Sequence, residues 1–88
     1  MTNMPIHNPD IAQALDDLAD FLELENANPF RVRAYRNAAR TIRGLGTEVS
    51  VKLARGDDLA ELPGIGKDLA GKIAALAKTG HLTLLDRV

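Results

Sequence analysis

The sequence predicts an all-α fold, a small bundle of about five short helices containing a helix-hairpin-helix motif. Three observations predict it: apolar residues recur at helical spacing, start and stop signals bracket each such stretch, and no segment alternates apolar and polar residues over a useful length. A chain of 88 residues makes one small domain, and a domain of this size buries only about 60–65 % of the surface its unfolded chain exposes. Phe21, Phe30 and Tyr35 are its only aromatics, so the core has to be built from Leu, Ile, Val and Ala. That composition calls for close helix packing through alanine.

Asn8-Pro9-Asp10 reads as the first helix start, with a side-chain cap, a proline at the first helical position and an acid in the first turn. Ile11, Leu15, Leu18, Phe21 and Leu22 carry its apolar face, to about Glu25. Asn28-Pro29 repeats the start signal; Val32, Tyr35, Ala38, Ala39 and Ile42 form the apolar face of a second helix, which Gly44 and Gly46 end. Thr47 can cap a short third helix through about Ala54, and Gly56 is its left-handed stop. Asp57 starts a fourth, of one or two turns, to Glu61 or Leu62. Pro63-Gly64-Ile65-Gly66 cannot continue it, because proline removes an amide donor and both glycines permit positive φ. A tight hairpin follows. The fifth helix runs from about Lys67 to Thr79 on Leu69, Ala70, Ile73, Leu76 and Ala77, with Gly80 as its stop. Thr83 can cap a last helix that the chain end at Val88 cuts short, so the expectation is one domain over residues 1–88 that is a fragment of a longer chain.

The composition excludes several function classes. There is no cysteine, so disulfides, thiolate metal sites and cysteine nucleophiles are ruled out, which suits a cytoplasmic protein. No apolar run approaches the roughly 20 residues of a membrane span, and the N-terminus lacks the layout of a signal peptide. A soluble, unexported protein with no membrane partner is expected.

The net charge of −1 hides a polarised chain. Residues 1–28 carry six acids (Asp10, Asp16, Asp17, Asp20, Glu23, Glu25) and no Lys or Arg; residues 29–56 carry seven bases (Arg31, Arg33, Arg36, Arg40, Arg43, Lys52, Arg55) against Glu48. Local sign decides what a surface attracts. Helical rotation puts Arg33, Arg36, Arg40 and Arg43 together, opposite the apolar face of the second helix. No acid stands at i±4 to compensate them, which favours a polyanion over a merely solubilising face. The acidic first helix reads as a solvated face or as a partial partner for the second helix.

The hairpin is the sharpest signal. Gly64 and Gly66 let backbone approach a ligand closely, and the first amides of the following helix point outward with the positive end of the helix dipole behind them. Phosphate is the natural ligand, and Lys67 adds a mobile positive charge. The alternative is a plain turn between two helices.

Three segments carry a family resemblance: Asn28-Pro-Phe-Arg-Val-Arg-Ala-Tyr-Arg-Asn-Ala-Ala39, Leu62-Pro-Gly-Ile-Gly-Lys-Asp-Leu-Ala-Gly-Lys-Ile73 and Thr79-Gly-His-Leu82. Together they resemble the N-terminal helix-hairpin-helix domain, of 8-kDa type, of family X DNA polymerases, the polymerase beta relatives, and most closely the bacterial members. The resemblance implies a monomeric domain that holds the 5′-phosphate side of gapped DNA, with a polymerase core following in cis, in DNA repair and base excision repair within the nucleoid of a bacterial cytoplasm. The expected DNA contacts are Leu62, Gly64, Ile65, Gly66 and Lys67 of the hairpin, with Arg31 and Lys72, joined by Arg33, Arg36 and Arg40 of the basic stripe. No cofactor is required, though the carbonyls of Ala60, Leu62 and Ile65 fall where relatives can hold a monovalent cation, Na⁺ or K⁺, when DNA is bound. Tyr35 matches the tyrosine lining the 5′-end pocket, Arg31 a lysine that contacts the 5′-phosphate, and Phe30 a histidine that can stack on a base.

In animal members the domain is also a 5′-deoxyribose phosphate lyase acting through a lysine Schiff base, and Lys72 occupies that position. Such an amine has to be neutral to attack. Asp68, one turn earlier, replaces a lysine of lyase-competent relatives and favours the charged amine; Leu84 replaces another. Lys72 therefore reads first as a phosphate-binding or solvated lysine, with the lyase as the enzymatic alternative. A protein-interaction module, in which the arginines meet an acidic partner, is the third reading.

Overall fold

The computed structural model describes residues 6–79. Within them run α1 (Asn8–Leu24), α2 (Pro29–Arg43), α3 (Val49–Ala54), a 3₁₀ turn (Leu59–Glu61) and α4 (Lys67–Thr79), with no strand. The all-α expectation holds, and α4 has the bounds read from sequence. The helix start at Thr83, Gly80 and Leu84 lie outside the described residues. None of the described helices is long and apolar enough to cross a membrane.

The fourth predicted helix is only the 3₁₀ turn. Asp58, not Asp57, caps it, its Oδ1 accepting from the Ala60 N–H at 2.9 Å. Leu62 is already extended at φ −71, ψ 145, because the ring of Pro63 disfavours the α region for the residue before it. Too few residues remain between cap and proline for an α-helix.

Helix ends follow local chemistry at three places. Asn28 caps α2 as expected, its Oδ1 accepting from the Phe30 N–H at 2.8 Å. Gly56 is left-handed at φ +82 and closes α3: its N–H bonds to the Leu53 carbonyl and that of Asp57 to the Lys52 carbonyl. Asn26, at φ +57, closes α1 in the same way, with Ala27 donating to Leu22 and Asn26 to Glu23. Asparagine tolerates this conformation better than other side-chain-bearing residues.

Two caps differ from expectation for one tertiary reason. The N-cap of α1 is His7, whose N–H bonds to the Asp10 carboxylate at 3.0 Å. Asn8 is the first residue of the helix and is buried. Its side chain crosses to the start of α3, donating to the Thr47 carbonyl and accepting from the Val49 N–H, both at 2.9 Å. Glu48 replies, its Oε1 accepting from the Asn8 N–H at 3.1 Å. Glu48, not Thr47, is the N-cap position of α3, and the capping oxygen comes from Asn8.

α1 and α2 form the principal helix pair; α3 and the 3₁₀ turn pack on α4, which also touches α1. Ile11, Leu15, Leu18 and Leu22 of α1 meet Val32, Tyr35 and Ile42 of α2 in one core, joined by Val49, Leu59, Ile65, Leu69, Ile73 and Leu76. Ala12, Ala19, Ala38 and Ala39 are fully buried, the close alanine packing that a core poor in aromatics requires. Each buried Leu or Ile contributes about 1.5–3 kcal/mol, and Ile65 and Leu59 anchor the hairpin to this core.

Candidate nucleic-acid interface

The hairpin is pinned from below and from the side while its tip faces solvent. Ile65 is buried, and Pro63, Gly64, Gly66 and Lys67 are exposed. The Thr41 hydroxyl of α2 donates to the Pro63 carbonyl at 3.0 Å, and the Ile65 N–H bonds back to the Leu62 carbonyl at 3.1 Å. Gly64 turns the chain at φ +76. Gly66 does not adopt positive φ, which corrects the expectation that both glycines serve the turn. Its carbonyl accepts the first i to i−4 bond of α4, from Ala70 at 2.8 Å. A Cβ at Gly64 or Gly66 would meet nothing within 4 Å, so packing does not demand glycine at 66. The first amides of α4 have no intrahelical acceptor, stand at the positive end of the helix dipole, and have the exposed Lys67 beside them.

Lys72 lies one turn further along α4 and is mostly covered, at 25 % side-chain exposure. Its Nζ donates to both carboxylate oxygens of Asp68 at 2.9 Å. Partial burial pulls the Lys72 amine down, but the Asp68 hydrogen bond and charge, with Tyr35 adding to them, outweigh it and hold the amine above its ordinary value. The Tyr35 hydroxyl is buried without a hydrogen-bond partner.

The arginines of α2 divide into two sets. Arg36 donates to Asp20 and to Glu23, both at 2.9 Å, and Arg43 to Asp16 at 2.7 Å. The Asp20 hydrogen bond, supported by Glu23, raises the Arg36 guanidinium further above its usual value. Arg31, Arg33 and Arg40 carry no ion pair among the described residues; the Arg33 guanidinium lies 5.8 Å from the ring centroid of Phe30, in cation–π range, and Phe30 itself is 74 % exposed. The expected stripe of four free arginines is therefore half neutralised. Its compensating acids come from the neighbouring helix, not from i±4. Asp16, Asp20 and Glu23 recur at i, i+4 and i+7, a spacing that marks one line on α1; that was the available sequence signal. Thr41 had none, because a hydroxyl on a helix flank does not announce a tertiary acceptor.

The carbonyls of Ala60, Leu62 and Ile65 belong to the turn and its approach, and that of Leu62 already accepts the Ile65 N–H. No group of three or more His, Asp or Glu side chains placed to hold a metal occurs among the described residues.

Residues 6–82 match the helix-hairpin-helix domain family. The chain is also 32 % identical over 81 residues to DNA polymerase/3′-5′ exonuclease PolX of Bacillus subtilis (strain 168), an alignment that covers 92 % of this chain and 14 % of the relative.

Proposed function

Since this chain belongs to the helix-hairpin-helix domain family, in the form found in family X DNA polymerases, we propose that it is a DNA-binding module that grips the 5′-phosphate side of gapped DNA. One observation carries the reading: a hairpin tip exposed at Pro63, Gly64, Gly66 and Lys67, held by the buried Ile65 and by Thr41, presents the unpaired amides of α4 beside a lysine with no ion pair among the described residues. Backbone N–H groups at a helix start bind anions without needing side-chain charge, and a preformed hairpin loses little entropy on binding. Arg31, Arg33 and Arg40 supply further phosphate contacts and Phe30 a face on which a base can stack, whereas Tyr35, expected to line the 5′-end pocket, is buried in the core and offers a 5′ end no wall. The proposed contacts at Arg36 require it to leave Asp20 and Glu23.

Lys72 acts here as a phosphate anchor, not a nucleophile. Asp68 keeps its amine charged, and a Schiff base forms only from the neutral amine. The relative's name describes a polymerase and exonuclease, and the present chain spans about one-seventh of that relative's length; a polymerase core in cis is part of the same proposal. A monovalent cation on the carbonyls of Ala60, Leu62 and Ile65 would use the second lone pair of Leu62 and neutralise an approaching phosphate.

The test is fluorescence anisotropy with labelled gapped DNA bearing or lacking a 5′-phosphate. Tighter binding of the phosphorylated form is expected. Equal affinity for the two would remove the 5′-phosphate grip. Affinity no better than for an unrelated polyanion would favour a protein-interaction module.

A further inference from the structure

We propose that the acidic line of α1 is a built-in electrostatic mask that decides which arginines of α2 can take DNA phosphate, and so narrows the footprint to the hairpin side. The inference rests on the DNA-binding reading above and names the residues that restrict it.

Asp16, Asp20 and Glu23 share one line of α1, and Arg36 and Arg43, seven residues apart, share one line of α2. The two helices pack together so that these lines meet in three ion pairs of 2.7–2.9 Å. Arg33 and Arg40 are also seven apart and carry no ion pair among the described residues. Going round α2 at 100° per residue, their line falls between that of Arg36 and Arg43 and that of Thr41, which holds the hairpin. The helix surface therefore grades from masked arginines beside α1, through free arginines, to the hairpin.

The masked side chains remain accessible, with 38 % and 46 % exposure at Arg36 and Arg43. Exposed ion pairs are weak, so the carboxylates do not lock these arginines; they compete with phosphate for them and repel a backbone that strays over α1. Undamaged duplex, which has no terminal phosphate to seat in the hairpin, loses most from this competition. The acids act as specificity-determining residues without touching DNA.

The test compares the parent 88-residue chain with Asp16→Asn/Asp20→Asn/Glu23→Gln, each with and without Arg36→Gln/Arg43→Gln, on undamaged duplex and on gapped 5′-phosphorylated DNA across a salt series. Unmasking should tighten duplex binding more than gapped binding. Each freed arginine that meets a phosphate steepens the slope of log affinity on log salt by about 0.9, so two steepen it by up to about 1.8 and a fourfold rise in salt removes roughly tenfold more affinity than in the parent. Arg36→Gln/Arg43→Gln should abolish that gain. An unaltered slope, or a gain that survives loss of both arginines, overturns the mask. Failure of the parent to bind gapped DNA overturns the DNA-binding reading instead and is read from a separate arm. Should the triple variant melt early, Asp16→Asn alone, read against Arg43→Gln, carries the same test with a slope change of about 0.9.

Discussion

Substituting alanine at the two hairpin glycines should separate folding from binding. Gly64 occupies the left-handed region at φ +76, whereas Gly66 does not, and a Cβ at either points into open space. Alanine at 64 incurs the left-handed penalty of about 1–2 kcal/mol, offset by about 0.4–1 kcal/mol from a less flexible unfolded chain. A net loss of up to about 1.6 kcal/mol lowers the melting temperature by up to about 13 °C in a domain of this size. Gly66→Ala has no strained φ to adopt. The unfolded-state gain nearly cancels the poorer capping by alanine, and melting should move by no more than a few degrees. In the proposed binding mode a phosphate approaches the amides of α4 past both methyl groups. A hydrogen bond to a charged group is worth about 1.5–3 kcal/mol, so Gly66→Ala should weaken binding of gapped, 5′-phosphorylated DNA by about tenfold to a hundredfold. Circular dichroism melts and anisotropy titrations read the two effects independently. Unchanged affinity in a fully folded Gly66→Ala chain would refute close backbone approach at that position.

Three further outcomes follow from the same structure. Asn8→Ala removes two 2.9 Å bonds to the start of α3 and strands the buried Val49 amide, which should cost about 2–4 kcal/mol; a melting temperature within about 3 °C of the parent would mean that solvent satisfies those groups. Asp68→Lys replaces the carboxylate that holds Lys72 charged with a cation that opposes it, so borohydride trapping on a 5′-deoxyribose phosphate end should rise and vanish when Lys72→Ala is added, and adduct already as strong in the parent would contradict a suppressing role for Asp68. Because the Lys72 amine is held above its ordinary value in the folded chain, the stability it contributes is complete below the ordinary lysine range and lost as pH rises through the folded value; the melting advantage of the parent over Asp68→Asn should accordingly shrink in alkaline buffer, and an advantage that grows with pH would reverse the assignment.

Read by itself, the sequence determined what depends on near neighbours along the chain. Asn28-Pro29 starts α2 and Gly56 stops α3 because cap and turn chemistry involves groups a few residues apart. The apolar faces of α1, α2 and α4 were readable because helical period alone selects them. Within the candidate site, the hairpin from Leu62 to Lys67 was legible for the same reason, as was the Asp68–Lys72 pair at i, i+4. Tertiary structure decided the rest. Asn8 carries a strong local capping signal, yet its side chain serves α3, because packing brings the Val49 amide, 41 residues away, to within 2.9 Å. Arg36 and Arg43 of α2 looked uncompensated because their partners, 13 to 27 residues earlier, face them only once α1 and α2 have packed. A charge pattern along one helix states what that helix can offer; which charges remain free is settled by the side chains of the helix beside it.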